Sequence, residues 1–149
     1  VAIVETDACC ADAVQVLTGC TFGKGNFFYR DYGKTAFTFF SRRTGQGVRL
    51  CLKPGAFEPN EEHMALLQKV MQDRADEQER QRFQALHFQR SCDILDMPAE
   101  ELFDIREIRE EIPEKAQIAP SVLCGLCGEP TMSTKMISMG GQQVCRACA

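Results

Sequence analysis

A chain of 149 residues is long enough for one domain with a packed core, or for a core and a small appendage. An apolar content of 44% and a charged content of 26% are those of a soluble globular protein, and no stretch approaches the ~18 apolar residues of a membrane helix. The net charge of −4 divides into +3 over residues 1–57, −8 over 58–120 and +1 over 121–149, so the mildly basic start could favour an anionic ligand but is far too weak to argue for nucleic acid.

Residues 1–7 are rich in Val and Ile and read as a strand. VAIVETDA has neither a basic n-region nor an apolar h-region, so it does not read as a signal peptide. Val1 already stands inside the predicted strand, and native sequence upstream of it is expected. Residues 10–18, CADAVQVLT, carry apolar side chains at Ala13, Val14, Val16 and Leu17 and predict a short helix. Gly19 closes it in the position that glycine fills without steric cost. After the turn-rich TFGKGN come three aromatic and β-branched runs, split by Asp31-Tyr32-Gly33 and by Thr44–Gly47. They predict a meander of three antiparallel strands.

From about Asn60 to Leu95 the pattern is helical, with Asn60 as N-cap and Glu61 and Glu62 in the first turn. QDRADEQERQR interrupts the apolar face, so either one helix crosses solvent or two helices meet; its charges read as a solvated face. MPAEELFDIREI reads as a short helix entering a strand, and EEIPEKAQIAPSVL as an extended linker punctuated by proline. The expected organisation is an α+β core over 1–112, in which helices pack on an antiparallel sheet. A linker over 113–123 and a small C-terminal module over 124–149 follow.

Nine cysteines, an odd number, without a secretory signal argue against a disulfide scaffold and for a reducing, cytoplasmic compartment with metal-bound thiolates. Cys124 and Cys127, then seventeen residues, then Cys145 and Cys148 form a C-x2-C-x17-C-x2-C array. Each C-x2-C turn aims two sulfurs at one point, and two turns supply the four thiolates of tetrahedral zinc. Gly125, Gly128, Gly140 and Gly141 let the knuckles and the intervening hairpin turn tightly. So small a segment draws its folding energy from the metal. Iron of rubredoxin type is the rival for the same sulfur set. Four filled positions leave none open for substrate, which makes the expected zinc structural.

Other signals are weaker. Gly33-Lys34-Thr35 looks like the end of a phosphate-binding loop, but Phe28 stands where the first glycine must be. His63 and His87 have no matched ligand spacing and read as structural or solvated. Cys9 lies where a strand meets a helix N-terminus, where backbone amides stabilise a thiolate; Asp12 is one turn on. Cys20 lies past the other end of that helix, roughly 16 Å away at ~1.5 Å per residue, so one ion does not bridge the two within one chain. Cys10, Cys51 and Cys92 read as small buried apolar residues.

The run E-T-D-A-C…D-A-V-Q-V-L-T-G-C-T-F-G-K-G-N, then D-Y-G-K-T-A-F, P-A-E-E-L-F and C-G-L-C-G-E…C-x-x-C, resembles the E-subunit family of formylmethanofuran dehydrogenase over most of the chain. The resemblance implies an α+β core like the C-terminal domain of glyceraldehyde-phosphate dehydrogenase, followed by a zinc ribbon. It implies a homodimer, and association with molybdenum or tungsten oxidoreductases of anaerobic, methanogenesis-related one-carbon metabolism. Family members carry an H-G-H-x-C-P motif upstream, and this chain starts after where it would be. By position Cys9 and Asp12 match the E-x3-C-x2-D element as candidate catalytic or second-metal residues. Cys20, Lys24 and Lys34 match later motif positions as candidate cofactor contacts. Two principal functions follow: an accessory zinc protein of such an oxidoreductase, or an enzyme in which Cys9 holds a second metal or acts as nucleophile. A nucleic-acid-binding ribbon protein, with Arg42 and Arg43 on the aromatic strands, is a weaker third that the acidic middle opposes.

Overall fold

The apolar run Ala2–Val4 forms strand β1, fully enclosed in a five-stranded sheet of the computed structural model, which describes every residue but Phe57. The chain forms two compact units, residues 1–113 and 114–149. In the first, helix α1 (Cys10–Thr18) crosses from β1 to β2 (Phe27–Tyr29), which runs parallel to it. Strand β3 (Ala36–Phe40) lies on the other side of β1, antiparallel, and β4 (Gly47–Leu52) and β5 (Phe103–Ile108) extend the antiparallel ladder, in the order β2-β1-β3-β4-β5.

This corrects the expected three-stranded meander, while the expected antiparallel sheet holds for every pairing but β1–β2. β2 and β3 are separated by β1, and the β1–β2 pair is parallel because a helical crossover joins them, the connection a parallel pair needs. The meander is β3–β4–β5, whose third strand comes from much later in the chain.

Alternation along the strands sends Ala2, Val4, Phe27 and Phe37 to one face, where α1 lays Val14, with Cys10 and Ala11 beside it, and where Cys20 closes the cluster. Of the four apolar positions expected to drive α1, only Val14 is buried. Val16 and Leu17 are 81% and 85% exposed. The sheet selects the stripe Cys10, Ala11 and Val14, whose small side chains let the helix approach. Gly19 ends α1 in the left-handed conformation at φ 66°, its N–H donating to the Gln15 carbonyl. Neither Cys10, Cys51 nor Cys92 is fully buried; each is half-exposed.

The helical stretch is two helices. Asn60 caps α2 (Glu61–Met71) by accepting from the His63 N–H at 2.8 Å. The break passes through Asp73 in left-handed conformation, φ 53°. Helix α3 (Glu77–Asp96) restarts at Asp76, which forms a capping box with Glu79. Asp76 is therefore a cap, and Arg80 pairs with Asp73 at 2.5 Å. Arg82 grips Glu62 with two bonds, 2.7 and 3.0 Å, and Lys69 pairs with Glu79. The polar interruption thus ties the hairpin together. His63 is buried at 4% exposure, its ring against Phe83 and His87 of α3. The short α4 (Ala99–Leu102) feeds β5 and buries Leu102, as MPAEELFDIREI predicts.

In the second unit β6 (Ser121–Leu123) pairs with β7 (Pro130–Met132), and β8 (Ile137–Met139) with β9 (Gln142–Val144). Gly140 and Gly141, at φ 57° and 81°, form the two-residue turn between β8 and β9. Among the described residues no helix is long and apolar enough to cross a membrane.

Candidate metal centre and the Cys9 region

Each hairpin of the second unit delivers one C-x2-C knuckle. Cys124 follows β6, and its N–H donates to the Glu129 carbonyl at 3.0 Å; the Gly128 N–H closes back on the Cys124 carbonyl at 2.9 Å. Cys145 follows β9, and the Cys148 N–H returns to the Cys145 carbonyl at 3.0 Å. The knuckles are locked to each other by the Gly125 N–H on the Gln143 carbonyl, 2.9 Å, and by the Cys145 N–H on the Cys124 sulfur, 3.3 Å. A Cβ on Gly125 would stand 3.1 Å from the Gln142 side chain and 3.3 Å from the Gln143 carbonyl, so the knuckles meet here in a tight approach. Val144, Cys124 and Cys145 are the buried core of the unit.

The four sulfurs lie within 4.8 Å of one another, with Cys127 and Cys145 at 3.9 Å. A tetrahedron with metal–sulfur bonds of about 2.3 Å places its sulfurs about 3.8 Å apart, so the set fits one metal ion. The electrostatics agree. Backbone N–H groups of Cys127, Cys145 and Leu126 pull the Cys124 thiol down to about 6. The neighbouring thiols of Cys145 and Cys127 push Cys148 up to about 12; at Cys127 a backbone bond from Glu129 pulls down, but hydrogen bonding to Cys124 together with burial outweighs it and the thiol is raised. Four thiols this close cannot all ionise beside one another; a divalent cation in their midst removes the conflict.

The residues singled out near the N-terminus are not brought into one cluster. Cys9 is exposed at the N-cap of α1 without a side-chain capping bond, and Asp12 stands in the first turn. Cys20 is buried in the core beside Val14 and Phe27. The Lys24 ammonium donates to the Gly19 carbonyl at 2.9 Å, neutralising the end of α1. Lys34 lies over the Tyr32 ring at 5.9 Å, and its N–H donates to the Glu5 carbonyl.

One constellation lies outside these expectations. Glu5, 5% exposed, accepts two bonds from Arg49, at 3.0 Å from Nε and 2.9 Å from Nη2. Glu5 is the first letter of E-x3-C-x2-D, and here it bridges β1 to β4 across β3. An arginine inside the apolar run GVRLCL and a carboxylate ending VAIVE are the signal: each has to find a partner once the sheet forms.

The family model "FmdE, Molybdenum formylmethanofuran dehydrogenase operon" matches residues 1–104. A protein of Archaeoglobus fulgidus named as a probable S-adenosyl-L-methionine-binding protein is 33% identical over 138 residues. That alignment covers 91% of this chain and 37% of the relative, so the chain spans little more than a third of that protein's length. A crystal structure from Syntrophus aciditrophicus, of a protein likened to the E subunit of tungsten formylmethanofuran dehydrogenase, superposes with a TM-score of 0.58 at 28% identity, over 99% of this chain and 69% of that one.

Proposed function

This chain belongs to the FmdE family, and on that premise we propose that it is a zinc-binding accessory protein of a molybdenum- or tungsten-dependent oxidoreductase acting on formyl or formate units. The observation that carries the metal part is the convergence of Cys124, Cys127, Cys145 and Cys148 within 4.8 Å. Zinc is preferred to iron because a closed four-thiolate site asks for a structural ion. When bound, the ion supplies cross-linking and charge neutralisation, and no reaction. The protein's own groups hold it: the two knuckles orient the sulfurs, and the backbone amides around Cys124 sustain its negative charge. The association with an oxidoreductase rests on the family description and on the tungsten enzyme to which the Syntrophus protein is likened. The adenosylmethionine binding in the archaeal relative's name belongs to a longer protein.

We extend this reading to a core like that of the glyceraldehyde-phosphate dehydrogenase C-terminal domain over 1–112, a linker over 113–123, a ribbon from 124, a homodimer and a cytoplasmic setting. Metal analysis of the purified protein tests the ribbon: one zinc per chain, lost in Cys145→Ser. Zinc retained at the wild-type level in that variant would mean the ligands are elsewhere. Co-purification of an oxidoreductase with the tagged chain from its native cells tests the association, and its absence would defeat it.

A second reading, an enzyme built around Cys9, is favoured by one observation: its thiol is solvent-accessible at the start of α1 with Asp12 beside it. It predicts a second metal, or a thiol that reacts selectively with iodoacetamide, lost in Cys9→Ala. A single metal unaffected by that change, with no selective alkylation, would sink it.

A further inference from the structure

Where β3 and β4 meet the turns that flank them, the sheet opens into a cavity of about 500 Å³ whose lining includes Lys34, Thr35, Cys51, Lys53, Gly55 and Glu58. Ala36 of β3 stands opposite Cys51 of β4, and Cys51 lines the cavity. Lys34 and Lys53 lie two residues beyond that pair on either chain, and both line the cavity. The Leu52 N–H on the Thr35 carbonyl, 2.9 Å, keeps the two segments joined there. Arg49, the next residue toward the sheet interior on this face, lies close enough to Cys51 to interact with it.

Two lysines thus line one recess, which concentrates positive charge at its wall. Among the described residues, Glu58 is the only carboxylate lining the cavity. Among those residues too, the Lys34 ammonium meets only the face of Tyr32, which leaves its three N–H donors free to bind, and Lys53 is steered by the Glu100 carbonyl. Thr35 lines the same cavity.

We propose that this recess is a binding site for a small organic oxyanion, a carboxylate or phosphate held between Lys34 and Lys53, with Glu58 accepting a hydrogen bond from a hydroxyl or amine of the same ligand. The cavity has the size of ordinary small-molecule sites. The site uses none of the four ribbon cysteines, so its test is separate from that of the zinc.

The test is calorimetric and NMR titration of the full chain with two probes, inorganic phosphate and acetate, at fixed ionic strength with chloride as the competing salt. Saturable binding of one probe, with shifts of the Lys34 and Lys53 side-chain resonances, is expected, and the probe that binds tells phosphate from carboxylate. Lys34→Gln and Lys53→Gln should each weaken it about tenfold, and Glu58→Gln should strengthen it. Binding that no lysine change affects, or no saturable binding of either probe, would each overturn the proposal.

Discussion

Glu5 and Arg49 are bound unequally to their surroundings. The carboxylate is 6% exposed and the guanidinium 27%, so losing one partner is not equivalent to losing the other. Arg49→Ala leaves a buried carboxylate with no cation, and a loss of about 2 to 3 kcal/mol is expected. Glu5→Gln leaves an arginine that water still reaches, and the loss should be smaller. The double variant should cost less than the two single changes added together. Urea unfolding of the four proteins measures this, and strictly additive losses would show that the pair is not coupled. The ribbon cysteines support a second expectation at this scale. Near neutral pH Cys124, at about 6, is largely ionised, while Cys127 and Cys148 lie above their ordinary value and keep their protons. Zinc uptake should therefore release protons from at least Cys127 and Cys148, and affinity should rise as pH rises through neutrality. Calorimetry in buffers of different ionisation enthalpy counts the protons; buffer-independent heats would contradict this ionisation pattern.

The helical hairpin shows what sequence periodicity conveys and where it stops. Asn60 as N-cap and the start of α2 are legible, because capping is local chemistry. The break at Asp73 is legible only in part: Asp76 and Glu79 have the spacing of a capping box, but the charged run around them reads equally as one solvated helix face. His63 is hidden, because its burial comes from Phe83 and His87, more than twenty residues later for His87. Burial, then the charge of Arg90, then His87 itself hold the His63 imidazole below its ordinary value. A depressed histidine binds fewer protons folded than unfolded. Its contribution is whole above the unfolded value of about 6.5 and is lost as pH falls toward the lower folded value. The hairpin should therefore loosen on mild acidification, seen as faster amide exchange in α2 and α3. His63→Phe should remove that part of the pH dependence. An unchanged pH profile in His63→Phe would show that another group carries it.

At the scale of the molecule, the elements were legible where they are local, and their arrangement was not. Nothing in β2 says that it pairs with β1 and leaves β3 for the other side; that follows from α1 carrying the chain back across the sheet. The four ribbon cysteines were legible because their geometry is written in two short spacings. The ion pair of Glu5 and the recess between Lys34 and Lys53 needed a register that only the folded sheet supplies. The two units also have different sources of stability. The first has its own apolar cluster of Ala2, Val4, Val14, Cys20, Phe27 and Phe37, whereas the second has only Val144 with Cys124 and Cys145 as its buried core among the described residues. A core in which two of three members belong to the proposed metal site is too small to hold four short strands unaided. Chelation should therefore abolish amide protection over residues 121–149 and leave β1 and β3 protected. Hydrogen exchange read by mass spectrometry, with and without chelator, resolves the two units on one protein. Returning zinc should restore protection in the ribbon strands, and Cys145→Ser should resemble the chelated protein whether or not zinc is present. Protection of β6 to β9 that survives complete metal removal would show that the hairpins fold on their own contacts, and the metal would then be a passenger in the ribbon.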